Sequence, residues 1–200
     1  SLITYNDRVE KVLTARYQKE LGLSKDFRND RHISSNYFDL SQLQRYWDEN
    51  RINHHTEATS MIYALHEGLR MMLQEGIENG YARHQLNDKA IQAGIKAMGL
   101  ELYGDLESKM ATVTPILIPN GIDGEAVKNT LLELFGVEIA SSFGPLNGKI
   151  WRFGNMGFSS RRENVLQVLG AFEATLLHYG ADIQTGKAVQ AALEVYLSEK

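Results

Sequence analysis

The hydrophobic period of this chain changes near residue 100, and that change rules out both a pure helical bundle and an all-β sandwich. Upstream, Met61, Ala64, Leu65, Gly68, Leu69, Met72 and Leu73 recur at i, i+3, i+4, i+7, i+8, i+11 and i+12. That spacing predicts an amphipathic helix from about Thr59 to Glu75, with Thr59 or Thr56 as its N-cap. Gly76 and Gly80 punctuate it, and a second helix runs to about Met98, closed by Gly99. Downstream, Leu100 to Tyr103 alternates with period 2, and Thr112 to Ile118 is a β-branched run that ends at Pro119. Asn120-Gly121 is a turn. Asp123 to Phe135 is amphipathic, with Val127, Leu131 and Leu134 inward. Two short strands follow, Val137 to Ala140 and Lys149 to Phe153. Arg162 to Tyr179 is a helix with Val165, Leu166, Leu169, Phe172, Leu176 and Leu177 on one face, and a last helix covers about Gly186 to Leu197. The expected class is α/β of the α+β kind: a small, mostly antiparallel sheet covered by helices.

Residues 1–76 offer too few strands to close a domain of their own. Leu2 to Tyr5 reads as a strand, Asn6-Asp7-Arg8 starts a helix through Val9, Val12, Leu13 and Tyr17, Ser24 to Ser35 is a polar loop, and Asp39 to Trp47 is a short helix with Leu40, Leu43 and Trp47 on one side. This part is expected to be the remnant of a larger domain, with residues 77–200 forming a small domain. A strand at the first residues needs neighbours to pair with, so the chain is expected to begin inside a larger protein. The opening residues show no basic stretch followed by an apolar one, so no signal peptide is expected in them.

Composition narrows the function classes. No apolar run approaches the roughly 20 residues of a membrane span. The net charge of −4 with scattered basic residues leaves no footprint for nucleic acid. The absence of cysteine removes disulfides, a thiol nucleophile and thiolate metal sites, and is compatible with the cytoplasm. No glycine-rich phosphate loop is present, and neither Ser141-Ser142 nor Ser159-Ser160 lies in a nucleophile elbow. Composition and periodicity alone build no complete active site.

Three places could carry chemistry. His54-His55 is an adjacent pair whose rings diverge in extended chain, so a shared metal is not expected. Asn53 to Thr56 ends where the strongest helix begins, and a helix N-terminus suits an anion; Thr56 either offers a hydroxyl to such an anion or simply caps the helix. Arg152 sits between Trp151 and Phe153. A guanidinium in so apolar a strand wants an anionic partner, because an isolated buried charge is costly. That partner is a ligand carboxylate held bidentately, or Glu138, unless the side chain faces solvent. Met61, Tyr63, Met71 and Met72 read as core or interface.

Five separated segments, in order, resemble one family: Ser1-Leu2-Ile3-Thr4-Tyr5-Asn6-Asp7, Asn36-Tyr37-Phe38-Asp39-Leu40, Asn53-His54-His55-Thr56-Glu57-Ala58-Thr59, Ser141-Ser142-Phe143-Gly144-Pro145 and Trp151-Arg152-Phe153-Gly154-Asn155-Met156-Gly157. Over essentially its whole length the chain resembles the class V pyridoxal-phosphate aminotransferases of fold type I. Within them it is most similar to the (S)-ureidoglycine–glyoxylate branch of purine degradation, with alanine– and serine–glyoxylate aminotransferases as cousins. The resemblance implies the C-terminal part of a fold type I transferase, pyridoxal 5'-phosphate as cofactor, small amino-acid and oxo-acid substrates, and a cytoplasmic homodimer with its active site at the subunit interface.

The resemblance also implies roles. Arg152 would grip the substrate α-carboxylate, where apolar flanks strengthen the fork. Thr56 would contact the cofactor phosphate of the neighbouring subunit. Asn53 stands where alanine–glyoxylate enzymes usually carry Tyr, and as both donor and acceptor it suits a ureido group. His54 and His55 are family features with no role assigned. The family's Schiff-base lysine, its ring-stacking aromatic and its pyridine-pairing aspartate lie upstream of the matching region. None of the ten lysines here sits in that motif. This chain is therefore expected to hold no catalytic residue and to be inactive alone. The implied reaction of the parent is amino transfer from (S)-ureidoglycine to glyoxylate. Alanine– or serine–glyoxylate transfer is the alternative within the family, and a non-catalytic small-molecule-binding or scaffold domain the alternative outside it.

Overall fold

The structure, a computed structural model, describes residues 3–16, 33, 35, 37–49 and 51–199. It divides into two compact units between Glu67 and Gly68. The boundary falls inside a helix, and residues 77–200 lie wholly in the second unit.

In the first unit, α1 spans Asp7–Ala15, and Asn6 caps it by accepting from the Val9 N–H at 3.2 Å. Ile3 to Tyr5 are not in a strand, contrary to expectation: among the described residues no neighbouring strand completes a ladder there. Leu2, Tyr17, and the loop expected over residues 24–35 apart from Ile33 and Ser35, lie outside the described residues. The helix expected over Asp39–Trp47 is shorter. Asp39 caps α2 (Leu40–Leu43), which tightens into a 3-10 turn over Gln44–Tyr46. The tighter turn rotates Trp47 off the apolar side, leaving it 86% exposed.

The helix read from the apolar stripe is α3, Thr59–Glu75, with the expected bounds. Its cap is not a threonine. The Ile62 N–H donates to the Ala58 carbonyl at 3.1 Å, and the Thr59 hydroxyl donates to the Glu57 carbonyl at 3.3 Å. Its apolar side chains, including Met61, Tyr63, Met72 and Leu73, are exposed rather than core.

The second unit begins its core with α4, Ile77–Ala97, entered through Gly76 at φ +87° and left through Gly99 at φ +85°. The sheet has three antiparallel strands in the order β1 (Val113–Leu117), β3 (Ile150–Gly154), β2 (Ala140–Ser141). Helices α5 (Gly124–Phe135), α6 (Arg162–His178) and α7 (Ala188–Ser198) complete the layer.

Two expected strands shrink for identifiable reasons. Leu100 to Tyr103 makes one bridge, Leu102 to Ile116. The Tyr103 N–H donates to the Pro115 carbonyl, but Pro115 has no N–H to return. Val137 is spent closing α5: its N–H bonds to the Leu131 carbonyl behind left-handed Gly136 (φ +63°), so pairing starts only at Ala140. Leu134 and Leu177, expected inward, are 71% and 41% exposed.

β3 organises the core. Trp151 and Phe153 point to one face, where both meet the Phe172 ring edge-on at 5.2 and 4.9 Å. Ile91, Ile95, Met98, Ile116, Val127, Leu131 and Leu169 are buried around them. Each such side chain contributes roughly 1.5–3 kcal/mol by leaving water. Arg152, between the two aromatics, is therefore thrown to the opposite face and to the sheet's short edge.

Candidate functional site

Alternation along β3 aims Arg152 away from the core, and the register opposite Ala140 sets it beside β2. Its Nε and Nη2 both donate to the Ser141 carbonyl, at 3.0 and 2.7 Å. The Phe143 ring lies under the guanidinium, 5.3 Å from carbon to centroid, a geometry in which a cation over a ring is favoured. No carboxylate among the described residues lies within 4 Å of it, so the expected alternative of an ion pair with Glu138 is not realised. Arg152 is half-buried and opens onto a cleft of ≈ 290 Å³ lined also by Lys128, Glu138, Ser141 and Phe143. Lys128 is already shared between Glu125 (2.9 Å) and the Ser141 hydroxyl (3.0 Å). Arg152 is thus anchored by a neutral carbonyl and keeps its charge uncompensated. That is what a receptor for a small carboxylate requires.

Asn53 and Thr56 lie in the irregular segment that precedes α3, with a bend at His55 between them, and both are exposed. Asn53 is tied to a residue that sequence reasoning missed: the Tyr46 hydroxyl donates to its Oδ1 at 2.7 Å. The same hydroxyl accepts from the His55 N–H at 2.7 Å and lies 2.6 Å from the His55 carbonyl. His54 and His55 face each other through their Nδ1 atoms at 2.9 Å, and His54 Nε2 is buried without a partner among the described residues. Thr56, released from capping α3, has no hydroxyl partner among the described residues.

Behind the sheet, polar groups are consumed by structure. Arg83 on α4 binds both oxygens of Glu75 and donates to the carbonyls of Gly157 and Ser160 at 2.9 and 2.8 Å. That contact holds the Glu75 carboxyl below its ordinary pKa and raises that of the guanidinium. His84 Nε2 accepts from the Gly157 N–H at 2.9 Å. Asn155 donates to the carbonyls of His84 and Ala111, while its buried Oδ1 has no partner among the described residues. Together these fix the turn that follows Arg152. None was legible beforehand, because each bond joins positions more than 40 residues apart or depends on a loop conformation.

Two residues, one in each unit, carry chemistry of the kind that pyridoxal phosphate and an acid substrate call for. Thr56 offers a free hydroxyl for a phosphate, and Arg152 a cation for the substrate's carboxylate. Lys89, Lys109 and Lys128 each pair with a carboxylate.

No protein-family model matches the chain. It is 57% identical over 199 residues to the (S)-ureidoglycine–glyoxylate transaminase of Bacillus subtilis, covering 97% of this chain and 48% of that protein. The crystal structure of the ureidoglycine–glyoxylate aminotransferase from B. subtilis superposes with a TM-score of 0.87 over 97% of this chain and 47% of its own. The alanine–glyoxylate aminotransferase of Callithrix jacchus is 31% identical, over 89% of this chain and 41% of that protein. The chain spans about half, or less, of the length of the curated relatives it matches. The expected fold, a small antiparallel sheet covered by helices in the C-terminal part of such a transferase, is borne out.

Proposed function

Starting from this resemblance to glyoxylate aminotransferases along nearly the whole chain, we propose that it is the C-terminal portion of a pyridoxal-phosphate-dependent aminotransferase that moves an amino group from (S)-ureidoglycine to glyoxylate. The observation that carries the reading is Arg152, a half-buried guanidinium held by a backbone carbonyl, with no carboxylate partner among the described residues, at the mouth of a cleft. Both the amino donor and glyoxylate carry a carboxylate, so one fork serves each half of the reaction. Asn53 supplies amide chemistry for the ureido end, and the higher identity to the ureidoglycine enzyme than to the alanine enzyme supports that donor over alanine.

Thr56 would hold the cofactor phosphate of the neighbouring subunit. When bound, the cofactor supplies the electron sink that lets the substrate Cα–H bond break. This chain's part is to bind and orient the carboxylate and the ureido group. The lysine that anchors the cofactor would lie outside these 200 residues, so the chain alone would be inactive. The exposed run of Met61, Ile62, Tyr63, Leu65, Leu69, Met72 and Leu73 on α3 supports burial against further polypeptide, as a homodimer requires. Among the described residues no helix is long and apolar enough to cross a membrane. That is compatible with a cytoplasmic enzyme of purine catabolism, whose partners would be small acids and a second copy of itself.

A panel of amino donors offered with glyoxylate to the full-length protein tests this. (S)-Ureidoglycine should give the highest kcat/KM. Preference for alanine or serine would move the assignment to those donors, and no transfer from any donor would leave a non-catalytic binding domain. Incubation of the 200-residue chain with pyridoxal phosphate and borohydride should label no lysine stoichiometrically.

A further inference from the structure

The Asn53 amide is held at its oxygen end. Its amide oxygen is engaged by Tyr46 at 2.7 Å, and its Nδ2 has no partner among the described residues. Tyr46 is held in turn. A phenol has one proton to give and two lone pairs; one lone pair takes the His55 N–H, and the proton lies between Asn53 Oδ1 and the His55 carbonyl, at 2.7 and 2.6 Å. The ring packs edge-on against His55 at 6.0 Å.

The chain between the two residues is braced for this contact. The Ile52 N–H donates to the Arg45 carbonyl at 3.0 Å, and the Arg51 N–H to both the carbonyl and Oδ1 of Asp48, at 3.2 and 3.1 Å. Arg51 is held at φ +46°, a conformation that an L-residue adopts only when its surroundings insist. The turn brings Asn53 back onto the hydroxyl at the end of the 3-10 segment.

We propose that Tyr46 is a positioning residue for donor specificity. It takes the amide oxygen of Asn53 and thereby presents the Asn53 NH2 to the substrate, where it donates to the carbonyl of a ureido group. An amino donor without that carbonyl gains nothing from the arrangement. This rests on the ureidoglycine reading above and adds a residue and a polarity to it.

The test is made in the full-length enzyme with two donors, (S)-ureidoglycine and alanine, and glyoxylate as acceptor. Tyr46→Phe keeps the ring and removes the hydroxyl. The kcat/KM for ureidoglycine should fall about tenfold, the order of one lost hydrogen bond, and that for alanine by less. In an Asn53→Ala background the same substitution should cost ureidoglycine nothing further, because the two residues act as one unit. Asn53→Asp retains an oxygen for Tyr46 but has no NH2, so it should lose ureidoglycine turnover as severely as Asn53→Ala. This variant reports even where Tyr46→Phe fails to accumulate folded. Equal losses for both donors in folded Tyr46→Phe, full additivity with Asn53→Ala, or wild-type ureidoglycine turnover in Asn53→Asp would each overturn the inference. Equal losses for both donors in Asn53→Ala itself would instead remove Asn53 from the substrate site, a failure of the underlying reading.

Discussion

Two nitrogens of Arg152 converge on one oxygen, the carbonyl of Ser141, at 3.0 and 2.7 Å. A carbonyl orients the guanidinium without neutralising it. Nη1 has no partner among the described residues, so one edge of the fork is spent on structure and the remaining donors are open. On the function proposed above, Arg152→Ala in the full-length protein should lower kcat/KM for every carboxylate-bearing substrate by about a hundredfold to a thousandfold, the equivalent of two charge-assisted hydrogen bonds at roughly 1.5–2 kcal/mol each. Arg152→Lys keeps the charge but not the fork and should recover only part of that. Steady-state kinetics with both half-reaction substrates checks it; a variant impaired with one acid alone would show that the clamp is not shared.

A second expectation concerns a glycine where helix α4 is crossed by its neighbours. A Cβ on Gly94 would lie 2.6 Å from Leu169 Cδ1 and 2.9 Å from the Ala188 carbonyl oxygen. Leu169 is fully buried and the carbonyl is backbone, so neither yields cheaply. Gly94→Ala should destabilise by about 1–3 kcal/mol, although alanine is the better helix former by roughly 1 kcal/mol. Gly170 in α6 has only Val189 Cγ2, at 3.8 Å, near its Cβ position. There the helix preference should win, and Gly170→Ala should stabilise. Opposite shifts in urea midpoint for the two variants are the expected result.

Legibility followed locality. The stripe from Met61 to Leu73 specified both ends of α3, because a helical period is a property of one segment. The α5 cap at Asp123 and the Gly136 exit are equally local. Strand lengths were not legible, because Leu100–Tyr103 depends on whether the strand opposite can return hydrogen bonds, and Pro115 cannot. At the candidate site, Arg152 stood out as a charge between aromatics, whereas its anchor on Ser141 is a backbone contact invisible to residue type. Tyr46 drew no notice because only the braced turn at Arg51 brings it to Asn53.

A third expectation lies in the buried ion pair that no spacing rule suggests. Asp88, 6% exposed, receives Lys109 on both oxygens at 2.6 Å, Thr114 at 2.6 Å and Gln92 at 2.9 Å. Its partners Lys109 and Thr114 come from 21 and 26 residues downstream and fasten β1 and the preceding loop to α4. Asp88→Ala leaves a largely buried ammonium with only the Met110 carbonyl to bond, and a buried hydroxyl with no partner among the described residues, and should cost about 3–5 kcal/mol. The double variant Asp88→Leu, Lys109→Met removes both charges and should recover much of that loss. Chemical denaturation of the three proteins measures it. A single variant no worse than the double would mean that the pair is solvated after all.

The last expectation is a pH dependence in the alkaline range. Tyr196 on α7 is 5% exposed and donates to Asn87 Oδ1 at 2.7 Å, and Asn87 in turn donates to the Ser160 hydroxyl at 3.0 Å. Burial pushes the Tyr196 phenol from 10.0 up to about 12, opposed by the nearby Arg162 guanidinium. Because the folded-state value is raised, the neutral phenol is favoured in the fold. Its contribution to stability is complete below about pH 10 and is lost as pH rises toward about 12. Tyr196→Phe removes both the bond and the titration. It should therefore be less stable than the parent at pH 8, by about 1–2 kcal/mol for a buried hydrogen bond with its partner left unpaired, and the gap should close between pH 10 and 12. Thermal unfolding of the two proteins across pH 8–12, compared as a difference so that other alkaline titrations cancel, measures it; a gap that stays constant with pH would show that the phenol titrates as it does in water.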